Sequence, residues 1–165
     1  MMSHGRFKTI NDMLREPGRR ERKEPHPFPV LVFFLWMGVK KLRTKASNSI
    51  TPNEKKDLYR GMSNVDLQSD FVLRGGTECA PMSTSEDIKI AIKYGATGLQ
   101  SVLIRIRTTG FMNLGAALRW LSAFPFEEEL LYPPGTYLKP LRPKPHVFKI
   151  GNSTFKVIDV EPQLS

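Results

Sequence analysis

The amino-acid sequence predicts a single domain of the α+β class. Its 165 residues are 40% apolar and 10% aromatic, so the chain is able to bury one hydrophobic core of moderate size. From Asp57 onward, short strand-like segments alternate with turns, and helical spacing of apolar residues occurs in only two places. Three groups of strands with two intervening helices indicate an α+β arrangement.

The first 27 residues are expected to form a flexible, basic, proline-rich arm. Their apolar residues show little helical periodicity, and the three prolines within residues 25–29 exclude a continuous helix or a central strand. The apolar stretch from Val30 to Arg43 then predicts a buried helix that carries cations in its last turn. We therefore expect an arm, residues 1–27, and one folded domain, residues 28–165.

The middle of the chain predicts a strand, a helix and a second strand. The segment Leu58–Gly61 begins the first strand. Ser85 is a suitable N-cap for the helix because two acidic residues follow it, and Gly95 is a suitable stop. The apolar residues Val102, Ile104 and Ile106 alternate with other residues, which predicts a strand with one buried face.

The last third of the chain predicts a second helix and four further strands. Helical spacing of apolar residues returns between Leu114 and Leu121. Two short strands, Glu129–Tyr132 and Thr136–Lys139, are separated by a Pro-Pro-Gly bend. His146–Ile150 and Thr154–Val160 flank a Gly-Asn-Ser segment, which is typical of a β-hairpin.

The net charge of +9 is concentrated in the N-terminal third of the chain. Residues 1–56 contain thirteen Lys or Arg and five Asp or Glu, a net charge of +8. Residues 57–165 contain twelve and eleven, a net charge of +1. A solvated arm and a polar helix face account for this excess, and the alternative is a surface that binds nucleic acid or an acidic membrane.

Cysteine content and hydropathy limit the kinds of site and the compartments that remain open for this protein. Cys79 is the only cysteine, which excludes an intrachain disulfide and a cysteine-based metal site and favours a reducing compartment such as the cytoplasm. The longest apolar run, residues 28–39, has twelve residues, whereas a membrane span needs roughly 20. The polar first residues lack the pattern of a signal peptide, and the three scattered histidines predict no metal site.

The first candidate catalytic residues are three consecutive acidic residues, Glu127, Glu128 and Glu129. On a strand, Glu127 and Glu129 would share one face and Glu128 would point away. Two adjacent carboxylates stabilise a developing positive charge and orient an incoming nucleophile. The alternative interpretation is a solvated acidic patch.

Arg60 and the segment Ser83–Ser85 are the other two candidates. The hydroxyls of Ser83–Ser85 precede the predicted helix, where they would serve as caps. Arg60 lies in a predicted strand beside Gly61, which permits a ligand to approach closely. A guanidinium in that position is able to bind a phosphate with two parallel hydrogen bonds, and the alternative is an ordinary surface arginine.

These motifs together resemble the arginine-specific mono-ADP-ribosyltransferases of the Arg-Ser-Glu class, which are related to vertebrate ecto-transferases and bacterial C2-like and C3-like toxins. Leu-Tyr-Arg-Gly at 58–61 is similar to the first-strand arginine motif of that family. Met-Ser-Thr-Ser at 82–85, followed by Ala91 and Tyr94, is similar to its Ser-Thr-Ser strand and helix. Phe-Pro-Phe-Glu-Glu-Glu-Leu-Leu-Tyr-Pro-Pro at 124–134 is similar to its Glu-x-Glu loop and strand.

The resemblance implies a role for each motif residue. Arg60 would bind a phosphate of NAD, and Ser83 would contact the nicotinamide ribose region. Glu129 would stabilise the ribose cation as nicotinamide leaves, and Glu127 would orient the acceptor guanidinium. The residues implied to contact NAD are Arg60, Gly61, Ser83, Thr84, Ser85, Tyr94 and Glu129.

The resemblance covers roughly half of the chain, from about Leu58 to Leu141. It implies a split β-sandwich in which NAD binds in a cleft between two small β-sheets. The family often has several helices before the first-strand arginine, whereas this sequence predicts one there. We therefore expect a reduced N-terminal helical region. The disulfides and export signals of the ecto-transferases have no counterpart in the sequence.

The expected activity is transfer of ADP-ribose from NAD to an arginine on an acceptor protein. NADP is a second candidate co-substrate, and no metal is expected. A close alternative is an NAD glycohydrolase, in which water replaces the guanidinium. A third hypothesis is a non-enzymatic basic module that binds nucleic acid or acidic membrane through residues 1–56.

Overall fold

The computed structural model describes residues 3–47, 55–63, 65, 69–96, 101–120, 128–150 and 153–164. Three helices precede the first strand: α1 Ser3–Arg15, α2 Pro17–Glu21 and α3 Pro29–Ser47. The predicted helix is confirmed within α3, but its expected burial is wrong for the first half, where Val30 and Phe34 are each 65% exposed. The expectation of a single helix before the first strand is wrong, because α1 and α2 occupy the segment for which an arm was expected.

The apolar residues of α1 show little helical periodicity, but one side of the helix is packed. Ile10 is buried, and Met13 and Leu14 are half-buried at the i+3 and i+4 positions. The Nε2 atom of His26 lies 3.4 Å from the carbonyl oxygen of Ile10, so the segment after α2 folds back toward α1. The division of the chain into an arm, residues 1–27, and a domain, residues 28–165, stays a prediction.

The rest of the chain is mainly β structure. Two further helices are α4 Ser69–Arg74 and α5 Ile88–Gly95, and a 3₁₀ turn spans Phe111–Asn113. The strands are β1 Asp57–Ser63, β2 Gly76–Glu78, β3 Met82–Ser85, β4 Ser101–Arg107, β5 Ala116–Ala117, β6 Glu129–Tyr132, β7 Thr136–Pro140, β8 His146–Ile150 and β9 Ser153–Gln163. These strands and helices confirm the α+β class.

The nine described strands form one mixed sheet in the order β2-β7-β9-β4-β1-β3-β6-β5, with β8 paired to β9. Only β4 and β9 run parallel, and every other described pair is antiparallel. The register joins β1 to β3 at a single pair, Tyr59 opposite Ser85. The expected division into two small sheets therefore corresponds to two parts of the sheet that meet at this narrow junction.

Strand β4 lies at the centre of the larger part, between β1 and β9. Ile104 and Ile106 are buried as predicted, but Leu103 on the opposite face is also only 1% exposed. Leu103 packs in a second buried cluster with Ala91 of α5 and Phe155 of β9. The prediction of one buried face is therefore wrong, because α5 covers the second face.

A buried ion pair links β4 to β9. Arg105 donates to both carboxylate oxygens of Asp159, from Nε at 2.8 Å and from Nη2 at 2.6 Å. The Asp159 side chain has no exposed surface. Burial alone would raise the pKa of Asp159, but the hydrogen bonds and charge of Arg105 lower it below its usual value. The carboxylate therefore stays ionised inside the sheet.

Two sequence expectations about helices are corrected. The segment from Leu114 to Ala117 is not helical, because Ala116 and Ala117 form β5 and pair with β6. Leu121 lies outside the described residues. The N-cap of α5 is Asp87 rather than Ser85: the Asp87 side chain accepts a hydrogen bond from the Lys89 backbone N–H at 2.8 Å.

Helix α3 contacts the sheet through its C-terminal half. Val39 is only 4% exposed. Arg43 donates hydrogen bonds to the carbonyl oxygens of Leu114 and Met112, both at 2.7 Å. Arg43 is therefore an internal anchor rather than a free surface cation. Among the described helices, none is long and apolar enough to span a membrane.

Gly61 of β1 is required for the packing of α5 on the sheet. A Cβ atom at this position would lie 1.7 Å from the carbonyl oxygen of Ala91 and 2.8 Å from the backbone nitrogen of Gly95. The sequence argument that Gly61 admits a ligand is therefore replaced by a structural one, because the backbone of α5 is what approaches closely.

We expect Gly61→Ala to lower the free energy of unfolding by about 1–3 kcal/mol or more, since the backbone of α5 must move away from β1. Gly38→Ala in α3 is the matched control, because a Cβ there meets nothing within 4 Å. It should raise the free energy of unfolding by about 0.5–1 kcal/mol through better helix propensity. Urea denaturation of both variants measures the difference, and equal effects would contradict this packing role.

Candidate active site

A cleft of about 320 Å³ opens where β1, β3, β6 and α5 meet. Its lining combines two charged side chains of opposite sign with hydroxyls and one exposed aromatic ring. The lining residues are Tyr59, Arg60, Gly61, Ser83, Thr84, Ser85, Ile90, Ala91, Tyr94 and Glu129. Seven of the eight residues that the sequence singled out are in this set, and the eighth, Glu127, lies outside the described residues.

The strand register brings the three motifs together. Ser85 of β3 lies opposite Tyr59 of β1 on one side and opposite Glu129 of β6 on the other. Residues directly opposite in antiparallel strands have side chains on the same face, so Ser85 and Glu129 share a face. Arg60 follows Tyr59 in β1, and it also lines the cleft.

Arg60 is held by the backbone of β3. Its Nη1 donates a hydrogen bond of 2.9 Å to the carbonyl oxygen of Ser83. Its Nε is buried and has no hydrogen-bond partner among the described residues. A buried donor without a partner is costly, and in native structures it is explained by strain, by a catalytic role or by a bound water or ion. The guanidinium thus offers an unused N–H to a bound anion.

The surroundings of Arg60 leave its charge largely uncompensated. Burial lowers the pKa of Arg60, Glu78 opposes this change and Arg15 adds to it, but the group stays charged at neutral pH. Glu78 is already paired, since Nε of Arg15 in α1 lies 2.9 and 3.2 Å from its carboxylate oxygens. Within the described residues, Arg60 makes no ion pair of its own.

The three hydroxyl residues of β3 differ in their surroundings. Thr84 is 2% exposed and donates a 2.8 Å hydrogen bond to the carbonyl oxygen of Leu130, which ties β3 to β6. The Ser85 hydroxyl accepts a 3.1 Å hydrogen bond from the backbone N–H of Asp87 and shapes the turn into α5. Ser83 is half-buried and lies at the cleft beside Arg60.

The acidic triplet is not a continuous strand. Strand β6 begins at Glu129, and Glu128 has φ 43°, in the left-handed region. Glu128 lies outside the cleft lining and pairs with Arg119 at 3.8 Å on the surface. Glu128 therefore precedes the strand, and the strand alternation expected for it does not apply. Glu127 lies outside the described residues.

The sequence assigned no site role to four residues that shape this region. Tyr59 of β1 and Ile90 and Ala91 of α5 line the cleft, and Glu78 sets the charge around Arg60. Tyr59 and Ala91 belong to the motifs that carry the sequence resemblance, but neither was expected to contact NAD. Among the described residues, no group of His, Cys, Asp or Glu is arranged to hold a metal ion.

Strands, helices and cleft together define the fold of the ADP-ribosyltransferases, as the sequence resemblance implied. Similar solved structures include Plx2a, an ADP-ribosyltransferase toxin from Paenibacillus larvae, with a TM-score of 0.64 and 17% identity over 95% of this chain and 80% of the toxin. ADP-ribosyltransferase Vis from Vibrio splendidus has a TM-score of 0.59 and 21% identity over 99% of this chain and 69% of Vis.

A third similar structure is ADP-ribosyltransferase HopU1 of Pseudomonas syringae pv. tomato, with a TM-score of 0.61 and 18% identity. The match covers 93% of this chain and 64% of HopU1. No family model and no curated protein matches the amino-acid sequence. At these identities the likeness establishes the fold, and the chemistry of this chain has to be argued from its cleft.

Proposed function

We propose that this protein is a mono-ADP-ribosyltransferase that transfers ADP-ribose from NAD to the guanidinium of an arginine on an acceptor protein. The observation that carries this proposal is one cleft that is lined by both Arg60 and Glu129, where Nε of Arg60 is buried and has no partner among the described residues. A cation for phosphate and an anion for a developing ribose cation are the two charges that the reaction needs.

In the proposed reaction, Arg60 binds a phosphate of NAD and fixes the position of the dinucleotide. Ser83 contacts the nicotinamide ribose region. The bond between the nicotinamide nitrogen and the ribose carbon breaks, nicotinamide leaves with the bonding electrons, and Glu129 stabilises the positive charge that remains on the ribose. A guanidinium nitrogen of the acceptor then forms the new bond to that carbon and loses a proton.

The arginine acceptor is the more specific part of the proposal. It is supported by the Glu-x-Glu pattern of residues 127–129 and by a solved structure of Vis in complex with agmatine, a small guanidinium compound. Glu127 is proposed to align the guanidinium and accept its proton. Exposed Tyr94 lies on the rim of the cleft, where an acceptor side chain would enter.

The proposal is tested by incubating the purified chain with labelled NAD, with and without agmatine or an acceptor protein. Labelled acceptor together with released nicotinamide supports transfer. Nicotinamide release that agmatine does not change identifies an NAD glycohydrolase, and no turnover contradicts the enzymatic proposal. A parallel assay with NADP measures whether the cleft accepts the additional phosphate.

Arg60→Lys should weaken NAD binding by about tenfold to a hundredfold although the charge is kept. An ammonium cannot reproduce both the hydrogen bond to Ser83 and the free Nε donor of the planar guanidinium. Calorimetric titration with NAD measures the effect. Arg107→Lys is the control, because Arg107 lies in the same sheet outside the cleft lining and pairs with Asp57. Equal affinities of both variants would remove the phosphate role from Arg60.

A further inference from the structure

The first half of α3 presents an exposed apolar surface that the proposed NAD chemistry does not use. Val30 and Phe34 are each 65% exposed, and Leu31 and Phe33 are also exposed. Val39 and Arg43 fix the second half of the helix to the protein. Exposed apolar side chains that lie together on one element are typical of an interaction site. We name Val30, Leu31, Phe33 and Phe34 the apolar tip of α3.

The same face of α3 continues into lysines. Phe34, Lys41 and Lys45 are spaced i, i+7 and i+11, so they lie along one side of the helix. Lys40, Lys41 and Lys45 line a shallow groove together with Trp36, and Nζ of Lys40 lies 4.3 Å from the centre of the Trp36 ring. The side that carries Phe34, Lys41 and Lys45 therefore passes from apolar side chains to cations.

We propose that this face of α3 docks the protein on a membrane surface that contains anionic lipids. At 1.5 Å per residue, Phe34 lies about 6 Å from Val30 along the helix, and Lys41 lies about 10 Å beyond Phe34. Interfacial helices bury their apolar side about 5–10 Å into the headgroup and acyl boundary. A tilted α3 would bury the apolar tip and leave Lys41 and Lys45 among the phosphates.

The charge of this segment favours an anionic lipid surface over a second copy of the chain. Residues 25–53 contain no Asp or Glu. A symmetric pair of α3 helices would therefore leave Lys40, Lys41 and Lys45 without carboxylate partners from α3. Val30 and Leu31 are aliphatic and provide no stacking surface for the bases of a nucleic acid, whereas hydrocarbon is complementary to them.

Flotation of the full chain with lipid vesicles tests the proposal. Binding is expected with vesicles that contain about 30% phosphatidylserine and to be much weaker with pure phosphatidylcholine. Two double variants test the two parts of the surface. One combines Phe33→Ser with Phe34→Ser, and the other combines Lys41→Glu with Lys45→Glu. Each should lower the vesicle partition coefficient by about tenfold or more. Matched controls at exposed sites elsewhere, Met112→Ser with Val147→Ser and Lys144→Glu with Lys149→Glu, should change it little.

A second measurement needs no change in α3. Trp36 and Trp120 are the only tryptophans, so Trp120→Phe makes Trp36 the single fluorescent reporter. Its emission should shift to shorter wavelength with anionic vesicles and stay unchanged with pure phosphatidylcholine. The proposal is overturned if the chain does not bind anionic vesicles, or if the Phe33→Ser, Phe34→Ser double variant binds them as well as the wild type does. A finding that this double change abolishes self-association or nucleic-acid binding instead overturns it as well.

Discussion

Replacing Glu129 with Gln should lower both nicotinamide release and ADP-ribose transfer by about 10² to 10³. The amide keeps the shape of the side chain but removes the negative charge that would face the ribose cation. Because bond breaking precedes attack by either acceptor, water and guanidinium reactions should fall together. Single-turnover assays with labelled NAD measure both rates in one experiment.

The neighbouring Glu128 provides a matched control for this experiment. It has the same side chain, lies next in sequence and pairs with Arg119 outside the cleft lining. Glu128→Gln should therefore leave both rates within about twofold of the wild type, since exposed ion pairs contribute little. Wild-type turnover in Glu129→Gln would remove the site assignment, even if the fold is unchanged.

Glu127→Ala should separate the two reactions that the cleft could catalyse. Release of nicotinamide should continue at a substantial fraction of the wild-type hydrolysis rate, because stabilisation of the ribose cation is assigned to Glu129. Labelling of an arginine acceptor should fall by about 10² or more, the usual scale for loss of a general base. At neutral pH a guanidinium is protonated and is a poor nucleophile, so it needs an adjacent carboxylate far more than water does.

The ratio of the two rates, measured with and without agmatine, is the diagnostic quantity for Glu127→Ala. An equal fall in both would assign Glu127 to NAD binding or to the conformation of the segment before β6. Persistence of both would show that transfer to arginine does not need Glu127, while the ADP-ribosyltransferase fold would be unaffected. Glu129→Gln in the same assay distinguishes these outcomes, because it should abolish both reactions.

Local sequence patterns were sufficient to predict most of the elements that build the cleft. Strand β1 around Arg60, strand β6 beginning at Glu129 and the hairpin of β8 and β9 all follow from apolar alternation and turn residues. The helix in α3 was predicted from its long apolar run, but the burial expected for that run is absent in its first half, where Val30 and Phe34 are exposed.

Other elements depended on partners that are distant in sequence. Ala116 and Ala117 lie in a stretch with helical spacing, but pairing with β6 makes them a strand. Helix α1 has weak periodicity, yet Ile10 is buried and Arg15 pairs with Glu78 from another part of the chain. In both cases a tertiary contact outweighed the local preference.

The sequence by itself determined the chemical groups of the candidate site: a strand arginine, a hydroxyl motif and an acidic triplet, in an order that resembles one family. The tertiary structure alone decided how they meet, because β3 lies between β1 and β6 and places Ser85 opposite both Tyr59 and Glu129. It also decided that Gly61 serves helix packing, that Nε of Arg60 is buried without a partner in the described chain, and that Glu128 turns the backbone before β6. Residue identity is local, whereas register, burial and backbone direction arise only when distant segments pack together.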